Sequence, residues 1–213
     1  MLDAFLQHHI DRLLFETKPN ALNDCHVRGL DSIMLHDEPQ NRIRLFFARP
    51  GHELHYNNMT GPRAFMPAQT LALHTHHCDV RLVPLFGPVF NYTVTLREHP
   101  AGLFRECAYY SAINDLGGGL EPTGRRFEVE TMNVTRLGGT QRGLWLDASE
   151  VHGIFVPRHV SAAWLVMEGE EDAGYNNLCY TQNPTFNTEG MYSPMRADAV
   201  AETLRFVRKR VCE

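Results

Sequence analysis

Leu2, Phe5, Leu6, Ile10, Leu13 and Leu14 recur at helical spacing, with Asp3, Gln7, His8, Asp11 and Arg12 mostly between them. That pattern predicts an amphipathic helix over about residues 2–16. Near the other end, Val200, Leu204, Val207 and Val211 share one helical face, and Ser193-Pro194 reads as an N-cap followed by a first-turn proline. A second helix is therefore predicted over about 194–211. Between the two lie short segments rich in β-branched and aromatic residues, separated by Gly, Pro and Asn: 27–35, 42–49, 69–77, 79–85, 88–97, 103–109, 126–135, 142–147, 151–157 and 162–168. In 89–97, Phe90, Tyr92, Val94 and Leu96 alternate with Asn91, Thr93, Thr95 and Arg97, the two-residue period of an antiparallel strand. Many short strands with no helix among them exclude a doubly wound sheet and predict an all-β barrel or sandwich. The stretches 111–125 and 169–195 read as long loops.

The 213 residues suit one domain over 1–213, with its strand core at about 27–168. At 43% hydrophobic and 21% charged, the chain can bury a sizeable core. No apolar run approaches the roughly 18 residues of a spanning helix, so no membrane partner is expected. Twenty Lys and Arg against 25 Asp and Glu give 20 − 25 = −5, a balance that argues against nucleic acid as a partner. Arg205, Arg208, Lys209 and Arg210 crowd the end of the second helix, where cations complement its dipole. The five Cys form no C-x-x-C pair and no disulfide framework, and the N-terminus lacks the pattern of a signal peptide, so a reducing, cytoplasmic setting is expected. Twelve His are the one compositional outlier.

They lead to Leu73-His74-Thr75-His76-His77-Cys78-Asp79-Val80. On a strand, His74 and His76 point to one face, about 7 Å apart, and His77 to the other. Imidazoles so placed can share a divalent transition metal, whereas Mg and Ca prefer oxygen donors. Polar filler at a barrel mouth is the other reading of the same residues. Downstream, His99 precedes Pro100 and His159 follows Pro157-Arg158, both turn settings. His152 instead opens an apolar run, with Ile154 and Val156 on its own face. Its ring nitrogen is expected within about 5 Å of those of His74 and His76, close enough to share one ion. A core histidine bonded to a neighbouring hydroxyl is the alternative. Cys78, Val80, Tyr92 and Ile154 are the expected pocket lining, with Cys78 an inert buried thiol.

The H-x-H pair, Gly87 in the turn Pro84-Leu85-Phe86-Gly87-Pro88, and a lone His at a later strand start together resemble the cupin superfamily, over about residues 65–170. The resemblance implies an antiparallel cupin-type β-barrel (a double-stranded β-helix), here flanked by an N-terminal and a C-terminal helix. It implies a metal inside the barrel on His74, His76 and His152, and a homodimer. Val80 stands where cupins carry a glutamate ligand, Ala68 where a glycine opens the motif, and Val156 where an asparagine closes the second one. The three-His set that remains is similar to the iron site of thiol dioxygenases. Their Ser-x-His-x-Tyr relay has no counterpart here, since that region reads Leu165-Val166-Met167-Glu168-Gly169. The expected function is a metal-dependent enzyme acting on a small organic molecule, with Fe(II)-dependent dioxygenation first. A redox-neutral isomerase or lyase and a metal-free ligand-binding barrel are the alternatives, and Zn, Ni or Mn are the alternative ions.

Two further patterns compete. His77 and Asp79 form an H-x-D pair that, with His152, would make the two-His-one-carboxylate set of iron and 2-oxoglutarate oxygenases. Ala162 stands where that family usually has its cosubstrate-binding arginine. His52-Glu53-Leu54-His55 is one residue short of H-E-x-x-H, so its two His cannot stack on a helix and read as surface strand residues.

Overall fold

Ile43, Leu45 and Phe47 alternate along one strand with Arg44, Phe46 and Ala48, and all six are buried. A strand apolar or buried on both faces needs cover on both sides, and this fold supplies it. In the computed structural model, which describes residues 2–25, 28–38, 41–52, 73–109, 120–138, 143–171, 177–182 and 192–212, two helices flank the described strands. In chain order these are α1 (Leu2–Leu13), β1 (Ala21–Asn23), β2 (Leu30–Glu38), β3 (Asn41–Ala48), β4 (Leu73–His74) and β5 (Cys78–Phe86). Then come β6 (Val89–Glu98), β7 (Phe104–Tyr109), β8 (Leu120–Leu137), β9 (Leu144–Leu146) and β10 (Val151–Phe155). Last are β11 (Ala162–Glu171), β12 (Leu178–Thr181), β13 (Ser193–Pro194) and α2 (Ala197–Cys212). The chain is all-β, antiparallel and closed at its centre, with one helix at each end, as the sequence pattern and the resemblance imply.

One sheet runs β13-β1-β2-β3-β11-β5-β9, and six strands close a barrel in the order β10-β4-β12-β7-β8-β6. The outer face of the seven-stranded sheet carries Ile33, Leu35, Ile43, Leu45, Phe47, Ala163 and Leu165, which pack on Leu6, Ile10 and Leu13 of α1 and on Val200, Leu204 and Val207 of α2. Truncating one such residue, Ile10 for example, costs about 2–5 kcal/mol. The opposite face holds Phe46, Cys78, Val80, Leu82, Trp164 and Val166 in a second cluster, joined by Val89 of β6 and Ile154 of β10. Phe46 and Trp164, directly paired across β3 and β11, stack with ring centroids 5.7 Å apart. Leu73, Tyr92, Phe104, Phe127 and Tyr180 form a third cluster from the barrel strands. Beside it Glu106, 3% exposed, accepts hydrogen bonds from Tyr180 Oη (3.1 Å), Thr123 Oγ1 (3.0 Å) and Arg125 Nη1 (3.2 Å), so its buried charge is matched. β8 pairs with β6 along one half and with β7 along the other, with register shifts in both ladders, which bends the sheet round on itself.

Several expectations are corrected. Residues 120–125, read as loop, belong to β8, while 110–119 lie outside the described residues. Within the supposed loop 169–195, β11 runs on to Glu171, β12 pairs with both β4 and β7, and β13 pairs with β1. Ser193-Pro194 is thus an edge strand rather than a helix cap, a place where proline's missing N–H is tolerated, and α2 begins at Ala197. The first helix stops at Leu13. His52 is buried against Gly29 instead of lying on a surface strand, because a glycine there leaves room for it; His55 falls outside the described residues.

Candidate metal centre

Antiparallel pairing puts His152 of β10 directly opposite His74 of β4 on one side and Thr93 of β6 on the other. Directly opposed residues share a face, and the pleat adds Asn91, two residues from Thr93, to the same face. Asn91 is buried, and its Oδ1 lies 2.8 Å from His152 Nδ1. A carbonyl oxygen only accepts, so the imidazole proton sits on Nδ1 and Nε2 keeps its lone pair. That lone pair faces the third histidine.

His76 reaches the group differently from the expected route. Strand β4 ends at His74, and the chain turns a corner towards β5, so His74 and His76 are not neighbours along one strand face. Backbone bonds brace the corner: Thr75 N–H donates to Leu178 O (2.9 Å) and His76 N–H to Ala148 O (3.2 Å). Thr75 Oγ1 in turn accepts from Leu178 N–H at 3.0 Å. The His76 and His152 Nε2 atoms stand 2.8 Å apart. Ring centroids are separated by 4.5 Å for His74–His152, 4.9 Å for His74–His76 and 5.0 Å for His76–His152. One ring nitrogen from each lies within 4.8 Å of the other two.

His152 is 2% exposed, and its pKa lies well below the ordinary 6.5, first because burial penalises the cation and then because His74 and His76 are close. It is therefore neutral at pH 7, the form that ligates metal. Three imidazoles from two chain segments, one oriented by an amide and held neutral, fit a divalent transition metal.

Of the expected lining residues, Cys78, Val80 and Ile154 lie in the second cluster, on the His152 side of β10. Tyr92 pairs with Gly153 and projects to the other face, into the third cluster. The set His77, Asp79 and His152 does not assemble. His77 turns away from His76 and its Nδ1 meets Asn177 Oδ1 at 3.2 Å, while Asp79 Oδ1 accepts from Ala148 N–H at 2.9 Å, fixing the turn that precedes β10. His77 instead joins Cys78 and Glu168 in a second group of donor atoms, again within 4.8 Å of one another. His99 and His159 are exposed. Asn91 and Glu168 escaped the sequence reading. Asparagine is depleted in strands, so one inside an alternating run was the available signal for the first.

No protein-family model and no curated protein matches the sequence. Among solved structures, the chain is similar to a cupin-2 domain protein from Rhodospirillum rubrum, at 14% identity over 89% of this chain and 90% of that one, with a TM-score of 0.39. It is also similar to the polyketide cyclase RemF from Streptomyces resistomycificus, at 10% identity over 78% and 80%, TM-score 0.38. A third is hydroquinone 1,2-dioxygenase from a Sphingomonas strain, at 11% identity over 76% and 73%, TM-score 0.34.

Proposed function

We propose that the chain is a cupin-type metalloenzyme that holds a divalent transition metal, Fe(II) first, on His74, His76 and His152 and oxygenates a small organic molecule. The convergence of the three ring nitrogens, with His152 Nε2 turned inward by Asn91, carries this reading. Bound there, Fe(II) would supply the electron path between an organic substrate and dioxygen, which do not react directly. The protein's own part is to keep His152 deprotonated, to hold its ring against rotation, and to wall one side of the site with Val80, Ile154 and their apolar neighbours. The same histidines, with Val80 in the usual carboxylate position, also suit a redox-neutral lyase in which the ion acts as a Lewis acid.

Metal analysis of the purified protein, before and after anaerobic reconstitution, is the first test. His76→Ala is expected to hold about one transition-metal equivalent less than the parent, and a difference below about a tenth of an equivalent would end the proposal. Dioxygen uptake with panels of thiols, diketones and phenols then separates the chemistries. Stoichiometric uptake with at least one class is expected; turnover of any of them without uptake would transfer the site to the lyase reading.

A further inference from the structure

We infer that His77, Cys78 and Glu168 form a second transition-metal site, suited to zinc(II), that shares no residue with the three-His set. One ring nitrogen of His77, the Cys78 sulfur and a Glu168 carboxylate oxygen lie within 4.8 Å of one another. The fold brings them together for identifiable reasons. Glu168 of β11 is paired directly with Val80 of β5, so the two share a face. Cys78, two residues before Val80, shares that face too, and both Cys78 and Val80 belong to the second apolar cluster. The carboxylate missing from the Val80 position thus returns from the neighbouring strand. His77 completes the group at the bend between β4 and β5, while His76 meets His152 in the three-His set.

Two of the donors are backed from behind. Asn177 Oδ1 lies 3.2 Å from His77 Nδ1, an amide-to-imidazole contact like that of Asn91 with His152. Arg44 Nε stands 3.8 Å from Glu168 Oε1, and Arg44 also donates to Ser32 Oγ at 3.4 Å. Such partners orient metal ligands rather than replace them. Thiolate, carboxylate and neutral imidazole together carry two negative charges, which a dication cancels. A sulfur donor selects against Mg and Ca, and three protein ligands leave a fourth tetrahedral position for water. Zinc donors sit about 2.0–2.3 Å from the ion, so closing this group asks for about an ångström of side-chain movement.

Cobalt(II) loaded into the full-length, chelator-treated protein reads this site independently of the first, because the three-His set contains no sulfur. A near-ultraviolet thiolate-to-cobalt charge-transfer band is expected in the parent protein and, undiminished, in His74→Ala. It should vanish in Cys78→Ser, and zinc content should fall there by about one equivalent per chain. Glu168→Gln, which keeps size and one acceptor oxygen, should weaken zinc affinity by about 10–100-fold, and without metal it should melt below the parent because it gives up the charge facing Arg44. Absence of the band in the parent, or its survival in Cys78→Ser, would overturn the assignment. So would unchanged zinc affinity in Glu168→Gln, which stands in should Cys78→Ser fail to fold. Loss of iron from the three-His set alone leaves all of these readings unaltered.

Discussion

Asn91 governs what His152 can do. Without the amide oxygen, the buried ring is free to carry its proton on either nitrogen or to turn its other edge towards His76. Replacing Asn91 by Leu keeps approximate volume and removes the acceptor, leaving a buried N–H to be satisfied elsewhere. The expected result is a loss of about 10–100-fold in affinity for Fe(II) or Co(II), measured by competition with a chelator of known strength. Asn91→Asp retains an acceptor and should recover most of that loss. Equal affinities in the Leu variant and the parent would remove Asn91 from the site. Asn91 was hidden because period-two reading assigns one face of a strand to the core and the other to water. On β6 both Asn91 and Tyr92 are buried, so the polar face covers the metal centre and the apolar face builds the third cluster.

At the level of elements, what could be read ahead was whatever repeats. Both helices show the helical period, and 45–48 of β3, 82–86 of β5 and 162–167 of β11 are apolar runs because helices cover one face and the second cluster the other. The H-x-H pair and Gly87 were legible as residues, but the corner between β4 and β5 was not, since no local pattern says that a strand ends after His74. β12 is four residues without alternation inside a polar stretch, yet it closes the barrel between β4 and β7. Ser193-Pro194 suits a helix start and an edge strand equally, and only its pairing with β1 separates the two. Gly87 is a turn position where backbone geometry is restrictive. Its φ is +78°, and an added Cβ would meet Ser161 O at 2.6 Å and Ala162 Cα at 2.8 Å. Gly87→Ala should therefore destabilise by about 1–3 kcal/mol, through left-handed strain and the clash with the start of β11. Urea denaturation of the metal-free protein measures it, and a midpoint equal to the parent's would show that the turn yields freely.

Across the whole molecule, three apolar clusters hold the fold without any ion, while the metal centre places a charge-intolerant histidine between the sheets. Burial, and then His74 and His76, push the His152 pKa below its ordinary 6.5, and burial followed by the Arg12 charge pushes His9 down in the helix–sheet cluster. The unfolded chain takes up protons at these residues near the ordinary value; the folded chain resists until lower pH. Stability from this source is thus complete above about pH 6.5 and declines as pH falls from there towards the folded-state values. The melting temperature of chelator-treated protein should be level between pH 7 and 8 and drop progressively below about 6.5. His152→Gln, neutral at every pH, should melt lower at pH 7 if its fit is poorer, but with a shallower acid dependence, the remaining slope coming from His9 and from carboxylates at lower pH. A bound ion adds to the same trend, since protons compete with it for the imidazoles, so the metal-loaded protein should lose stability more steeply over this range. A metal-free parent that melts at one temperature from pH 7.5 to 5.5, or a His152→Gln slope as steep as the parent's, would mean that the buried ring takes up its proton as easily folded as unfolded.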